Sequence, residues 1–345
     1  MSASPVRVGV IGLGMISRSH LAGYAAANGA VVMAVCDVDA AKVEVAASAH
    51  GALGSTDYRS LLADPEVDAV DLLLPHALHF PIAKEALEAG KHVCLEKPLT
   101  VHEGEARELV ELAASRGLVL ALAENTRFVH AYVVAERMLR AGELGEIRMV
   151  RGFIPDQILD EWAEDPTGWK PSVHGTGAIM DCAPHLLYQL VWYFGEVEML
   201  HAIAQRYAPG VELENHGIIA GRVAGGALFS VELSSVTEYP RGERVEIYGS
   251  EAALIIDQVL DPPMVLYRGD SDHHGTAIAE VPYDLTQWKA RSIAVEVADF
   301  VDAVREGRPA AIDLEDAIYT VRLVEAAYES VASGLPIDVR RRRAT

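Results

Sequence analysis

Within the first 123 residues, short runs rich in β-branched residues alternate with longer amphipathic ones, and this alternation confines the fold more tightly than any other feature. Val6-Arg-Val-Gly-Val-Ile11, Val31-Val-Met-Ala-Val-Cys36, Ala69-Val-Asp-Leu-Leu-Leu74, His92-Val-Cys-Leu-Glu96 and Val119-Leu-Ala-Leu-Ala123 read as strands. Between them, Ser17 to Ala27, Ala40 to Ala49, Tyr58 to Ala63, Phe80 to Ala89 and His102 to Arg116 place apolar residues at three-and-four spacing. Strands separated by helices build βαβ units, and those units make a parallel sheet.

Beyond residue 123 the pattern changes. One helix (Val133 to Ala141) and one strand (Ile147 to Ile154) lead through a Trp-containing loop to a second helical run that carries Asp181 and His185. Short strands then follow one another with Gly, Pro, Asp and Asn between them, from Val197 to Tyr267, and helices over Ile293 to Glu306 and Leu314 to Ser333 close the chain. Consecutive strands joined by short turns imply an antiparallel or mixed sheet. The expected architecture is therefore α/β: a doubly wound parallel-sheet domain over 1–123, then an α+β domain over 124–345 built on a large, mainly antiparallel sheet.

With 345 residues and 50% hydrophobic composition the chain is long enough for two cores. Its net charge of -21 disfavours nucleic acid and anionic membrane surfaces as partners, since both call for a basic patch. Cys36, Cys94 and Cys182 are scattered and lack metal spacing, which fits a reducing cytoplasm rather than a disulfide framework. No stretch approaches the roughly 20 apolar residues of a spanning helix. Asp270-Ser-Asp272-His273-His274 gathers ligand-type side chains, but it falls in a predicted turn without further ligands, so it reads as a solvated loop and no metal is expected.

The first strand runs directly into Gly12-Leu-Gly14-Met15-Ile16-Ser17, which opens a helix. Gly12 permits a tight turn, Gly14 lets the backbone approach a pyrophosphate, and the helix start at Met15 and Ile16 supplies amides and a positive dipole. Serine stands third, where the fingerprint has Gly or Ala, and is small enough for close packing. Asp37 ends the second strand, 20 positions after Ser17, where a carboxylate can accept from both hydroxyls of an adenosine ribose and repel a 2′-phosphate. The expected cofactor is NAD rather than NADP.

Asp181 and His185 lie four residues apart in a helical run and so share a face, as a proton-transfer site requires, although such a pair is also common as a structural contact. Three further motifs stand in order before it: the Gly12 to Asp37 fingerprint, Leu74-Pro75-His76-Ala-Leu-His79, and Gly90-Lys-His-Val-Cys-Leu-Glu96-Lys97-Pro98. Together with Gly175-Thr-Gly177 leading to Asp181 and His185, they resemble the glucose-fructose oxidoreductase and inositol dehydrogenase family over nearly the whole chain. His76 departs from that family's usual Asn.

The resemblance implies a nicotinamide at the carboxyl edge of the parallel sheet, covered by the second domain. It implies catalytic roles for Lys97, Asp181 and His185, with His185 as base, Lys97 stabilising the alkoxide or sharing the proton, and Asp181 orienting. Pro75, His76, His79, Glu96 and Lys97 become cofactor neighbours; His79 has the alternative of capping the helix that begins near Phe80. Lys97, Asp181 and His185 are also expected to touch substrate, with Asn125, Arg127, Trp162, Trp169 and Lys170 as further candidates for vicinal hydroxyls and a sugar ring face. The implied reaction is the interconversion of a secondary hydroxyl and a ketone on a sugar, sugar derivative or cyclitol. Two other readings stay open: a lyase or glycosidase that returns the hydride to its substrate, and a non-catalytic sensor. A sheet face left uncovered suggests a homodimer or homotetramer.

Overall fold

The computed structural model describes residues 4–155, 177–207, 213–238, 240, 242–269, 274–278 and 285–341. Trp162, Trp169 and Lys170, with Gly175, Thr176 and Asp270 to His273, lie outside the described residues.

Strands β1 (Val6–Ile11), β2 (Ala30–Cys36), β3 (Leu53–Ser55), β4 (Ala69–Leu72), β5 (His92–Glu96) and β6 (Leu120–Ala123) alternate with helices α1 (Ser17–Ala26), α2 (Ala40–His50), α3 (Tyr58–Ala63), α4 (His79–Glu88) and α5 (Glu103–Arg116). The strands form one sheet in the order β3-β2-β1-β4-β5-β6, all pairs parallel. Chain order therefore reverses between β1 and β4, which makes their carboxyl ends the switch point where open α/β sheets bind ligands. Local chemistry sets the helix starts: Asp39 accepts from Ala41 N and Lys42 N, and Asp57 accepts from Arg59 N. β3 was not expected, because three residues carry no readable period.

Packing divides the chain into two compact units, Met1–Phe128 with Gln287–Ile318, and Val129–Thr286 with Tyr319–Thr345. The continuous division at residue 123 differs from this in where it assigns helix α8 (Leu285–Glu306). Ile293, Val297, Phe300 and Val301 of α8 share one buried cluster with Val8, Val10, Val35, Ala69 and Cys94 of the parallel sheet. Hydrophobic burial is non-directional, so the order of elements does not say which sheet a late amphipathic helix will cover. Gly23 of α1 makes room for α8: a Cβ there would stand 3.3 Å from Val297.

The second unit holds α6 (His130–Arg140), β7 (Ile147–Pro155), α7 (Ala178–Phe194), β8 (Val197–Gln205), β9 (His216–Val223), β10 (Leu228–Ser234), β11 (Arg244–Gly249), β12 (Ala252–Asp257), β13 (Met264–Arg268), β14 (Thr276–Ala277) and β15 (Ile337–Asp338). These strands form a sheet ordered β14-β13-β12-β11-β7-β10-β9-β8-β15, antiparallel except for the pair β7 and β10. Side chains alternate across it. Val150, Ile219, Phe229, Val231, Leu233, Val245 and Ile247 are buried, whereas Met149, Ile203, Ile218 and Leu228 are exposed on the opposite face. Helix α9 (Leu314–Ser333) spans the boundary between the units, and its Ser330 Oγ accepts from Ala202 N at 2.9 Å. Among the described residues no helix is long and apolar enough to cross a membrane, and no group of three or more His, Cys, Asp and Glu could hold a metal ion.

Candidate active site

Gly12 leaves β1 with φ of +100°, and its N–H donates to Cys36 O at 2.8 Å. A Cβ at this position would lie 2.1 Å from Leu73 O, so only glycine lets the ends of β1 and β4 approach this closely. Gly14 is exposed, and among the described residues nothing stands within 4 Å of where its Cβ would be, which leaves its backbone open to a large ligand. Ser17, the departure from the glycine fingerprint, is buried and closes the loop itself: its Oγ donates to Gly14 O at 2.6 Å. Met15 is 71% exposed, and Ile16, half-buried, occupies the N-cap position of α1 without a side-chain cap. The α1 amides thus face their ligand side without a carboxylate of the chain's own in the cap.

The Asp37 carboxylate sits beside this loop and is partly exposed. Oδ2 accepts from Leu13 N at 2.7 Å and Oδ1 from Asp39 N at 2.9 Å. A carboxylate offers about four lone-pair positions, so one on each oxygen remains, matching the two hydroxyls of a ribose. A glycine turn at the switch point, an open approach at Gly14 and an anchored carboxylate fit the adenosine, pyrophosphate and ribose of NAD.

β4 and β5 deliver the next residues. Pro75 is half-buried and His76 is buried in a short 3-10 turn, His76–Leu78. His79 does not cap α4, whose N-cap is Leu78 with no side-chain cap. Its ring instead bridges two carbonyls, Nδ1 to Pro98 O at 2.7 Å and Nε2 to Leu74 O at 2.8 Å. Full burial pushes its pKa down to about 4, against the two carbonyls that favour a second proton. No counter-charge accompanies that proton and the Lys97 charge opposes it, so the ring is neutral at pH 7 and donates to one carbonyl only. The ring is thereby wedged between the loop after β4 and the loop after β5, bonded to one of them through its single N–H.

Lys97 follows β5, half-buried, with its N–H on Ala123 O at 3.2 Å and a cis peptide bond to Pro98. The Glu96 side chain is 17% exposed, with Oε1 3.8 Å from His20 Nε2. Asn125 and Arg127 lie in the 3-10 turn Asn125–Phe128 after β6, both half-buried. Asn125 Nδ2 donates to Ser292 Oγ at 2.8 Å, which fastens this turn to α8. Gly12, Gly14, Met15, Ile16, Asp37, Pro75, His76, His79, Glu96, Lys97, Asn125 and Arg127 therefore all belong to the first unit, at the carboxyl ends of its strands or on the segments that follow them.

Asp181 and His185 belong to the second unit, on one face of α7. Ile179, Met180, Ala183, Leu186, Leu187, Leu190 and Val191 are buried on the helix's apolar side, leaving Asp181 and His185 half-buried together. Glu214 seats the start of this helix. Its main-chain O accepts from Ala178 N at 2.9 Å, and its Oε1 accepts from Ile179 N at 3.2 Å and from Tyr328 Oη at 2.7 Å. Burial, and then Glu214, push the Tyr328 phenol far up, so it remains a donor. A Cβ on Gly177 would stand 2.0 Å from the Glu214 carboxyl, which explains the glycine at this N-cap.

Sequence reasoning passed over Glu214, His20, Asp71 and Glu296. One signal was available: Asp71 interrupts an otherwise apolar strand of a parallel sheet, and His20 stands four residues before buried Tyr24 on the inner face of α1.

A glycine turn at a parallel-sheet switch point, an anchored ribose-type carboxylate and a lysine at the end of β5 define a dinucleotide-binding α/β protein with a second, sheet-based unit. The chain belongs to the Gfo/Idh/MocA oxidoreductase family: residues 6–124 match the family's NAD-binding Rossmann fold and residues 132–255 its C-terminal domain. It is 27% identical to levoglucosan dehydrogenase of Pseudarthrobacter phenanthrenivorans, over 97% of this chain and 98% of that one. It is 32% identical to dTDP-3,4-didehydro-2,6-dideoxy-alpha-D-glucose 3-reductase of Streptomyces violaceoruber, over 75% and 74% respectively. The fold matches that of the WlbA dehydrogenase from Bordetella pertussis in complex with NADH and UDP-GlcNAcA, with a TM-score of 0.89, 24% identity and coverage of 99% and 100%. The protein is an NAD-dependent oxidoreductase.

Proposed function

We propose that the protein interconverts a secondary hydroxyl and a ketone on a sugar, sugar derivative or cyclitol. One observation carries this reading: the likeness to levoglucosan dehydrogenase extends over 97% of this chain and 98% of that one, so it includes the substrate-side domain as well as the nucleotide domain. The didehydro-sugar reductase supports it from the reverse direction.

NAD, when bound, supplies the hydride acceptor. The chain's own residues supply the rest. His185 takes the hydroxyl proton; Asp181, one helical turn earlier, orients the ring or a substrate hydroxyl. Lys97 stabilises the negative charge developing on the oxygen. Asn125 and Arg127, with Trp162, Trp169 and Lys170, complete the substrate side, and His79 acts by holding Pro98 beside Lys97. On this reading residues 1–123 bind the nucleotide and 124–345 serve substrate and assembly. Met149, Ile203, Ile218 and Leu228, apolar on the open sheet face, support a homodimer or homotetramer formed through that face, and the three scattered cysteines fit a cytoplasmic protein.

The test is a screen of anhydrosugars, hexoses, inositols and glycosides by absorbance of the reduced nicotinamide. Absorbance that rises with substrate and vanishes in His185→Ala is the expected result, with turnover down about two to four orders of magnitude and NAD binding retained. Product formation at flat absorbance would instead identify a hydride-returning lyase or glycosidase, and an inert panel with retained sugar binding would identify a sensor.

A further inference from the structure

Four ionisable side chains, none of them used by the reaction as described, meet in the interior of the first unit. His20 of α1 is fully buried, and its Nδ1 lies 2.9 Å from Asp71 Oδ2 of β4, itself fully buried. Its Nε2 has no hydrogen-bond partner among the described residues and stands between two carboxyls, 3.8 Å from Glu96 Oε1 of β5 and 4.0 Å from Glu296 Oε1 of α8. Three acids around one base, out of water, persist only if protons are shared so that charges balance.

The distribution of those protons follows from burial and from partners. Burial opposes a charge on His20, but the Asp71 carboxylate in contact with it outweighs that cost, with help from Glu96 and against Lys289 of α8, so the imidazole holds its proton above the usual histidine range. Glu296 is held well above the carboxylate range by burial first and then by Glu96, Glu124, Asp71 and Asp299, which makes it a neutral acid. Tyr24 of α1 and Cys94 of β5 also face the cluster; burial and Asp71 push both far up, and they stay neutral. The His20 imidazole therefore carries its proton beside Asp71 and Glu96, whose charges favour it, with Lys289 opposing.

Glu96 precedes Lys97, and consecutive Cα atoms across a trans peptide are about 3.8 Å apart. We propose that His20 is a positioning residue for Lys97: clamped by Asp71 and placed between Glu96 and Glu296, it holds the Glu96 carboxylate and screens its charge from the neighbouring ammonium. This inference rests on Lys97 handling charge or protons in the proposed reaction, but its physical content concerns this chain alone. Without His20, the Glu96 charge acts on Lys97 unscreened and holds the ammonium protonated to higher pH. Without the Glu96 carboxylate, the ammonium gives up its proton more easily.

The experiment measures how fast an amine-reactive probe, trinitrobenzenesulfonate, labels Lys97 from pH 6 to 8, close to the range in which a histidine held above its ordinary value keeps its proton, in the full chain and read by peptide mass spectrometry. His20→Asn retains a donor toward Asp71 but no cation, and its Lys97 labelling should fall roughly threefold to tenfold at a pH on the rising part of the wild-type curve. Glu96→Gln should raise labelling at the same pH. Glu296→Gln, which replaces a neutral acid by a neutral amide, should leave the curve in place. A purely structural role for His20 would lower the melting temperature without moving the Lys97 curve, so a folded His20→Asn protein with a wild-type curve overturns the inference. Should His20→Asn fail to fold, Glu96→Gln decides alone, and an unshifted curve overturns the inference. A shifted curve in a protein that oxidises no hydroxyl with NAD would refute the proposed function and leave the role of His20 standing.

Discussion

Replacing Asp37 with serine probes the cofactor site where its geometry is most explicit. The carboxylate accepts from Leu13 N at 2.7 Å and Asp39 N at 2.9 Å, leaving one acceptor position per oxygen for the ribose. Serine removes both free acceptors together with the negative charge. A hydrogen bond to a charged group contributes about 1.5–3 kcal/mol net, and two in part replaced by water sum to about 2–3 kcal/mol of NAD affinity. That corresponds to roughly a 30- to 150-fold rise in Kd. For NADP the same change removes a repulsion between Asp37 and the 2′-phosphate, so its Kd should hold or fall and the preference for NAD should narrow or reverse. Titration of NADH and NADPH fluorescence into wild type and variant gives both constants. Because Leu13 N–H loses its partner beside solvent, the melting temperature should fall only by the few degrees that about 1 kcal/mol produces. An NADH Kd within twofold of wild type, with selectivity unchanged, would refute the reasoning.

Gly177→Ala should push the Glu214 carboxyl off Ile179 N and Tyr328 Oη, since a Cβ would stand 2.0 Å from it. The expected cost is about 1–3 kcal/mol in urea unfolding with a fall in kcat, whereas wild-type stability would mean that Glu214 does not seat α7. His79 provides a pH test. Its pKa falls from 6.5 to about 4 on folding, so its stabilisation is complete above pH 6.5 and is lost as pH drops toward 4, by about 3 kcal/mol. Unfolding free energies of His79→Gln should thus vary less with pH than those of wild type between pH 6.5 and 4; parallel curves would show that the wild-type ring is protonated and donates to both carbonyls.

Much of the nucleotide domain was legible in the sequence because its signals are local. A glycine between a strand and a helix, an acid at the next strand end and apolar runs of fixed period each act within a few residues, and β1, α3 and β5 begin and end where the pattern places them. The Asp181 and His185 pair was legible for the same reason, since helical geometry alone puts them on one face. The role of His79 was not, because its partners Leu74 O and Pro98 O are main-chain groups brought to it by the ends of two neighbouring strands.

Sequence by itself determined the parallel sheet and the cofactor fingerprint, since periodicity and backbone freedom are properties of short segments, whereas the strand order that sets the switch point came from the tertiary structure. Only the tertiary structure decided that α8 returns to cover the first sheet, that Asn125 fastens to Ser292, and that His20, Asp71, Glu96 and Glu296 meet. Those residues are up to 276 positions apart in the chain. Their meeting depends on burial and on the pairing of charges out of water, which are set by which surfaces close on each other and are invisible to any local window.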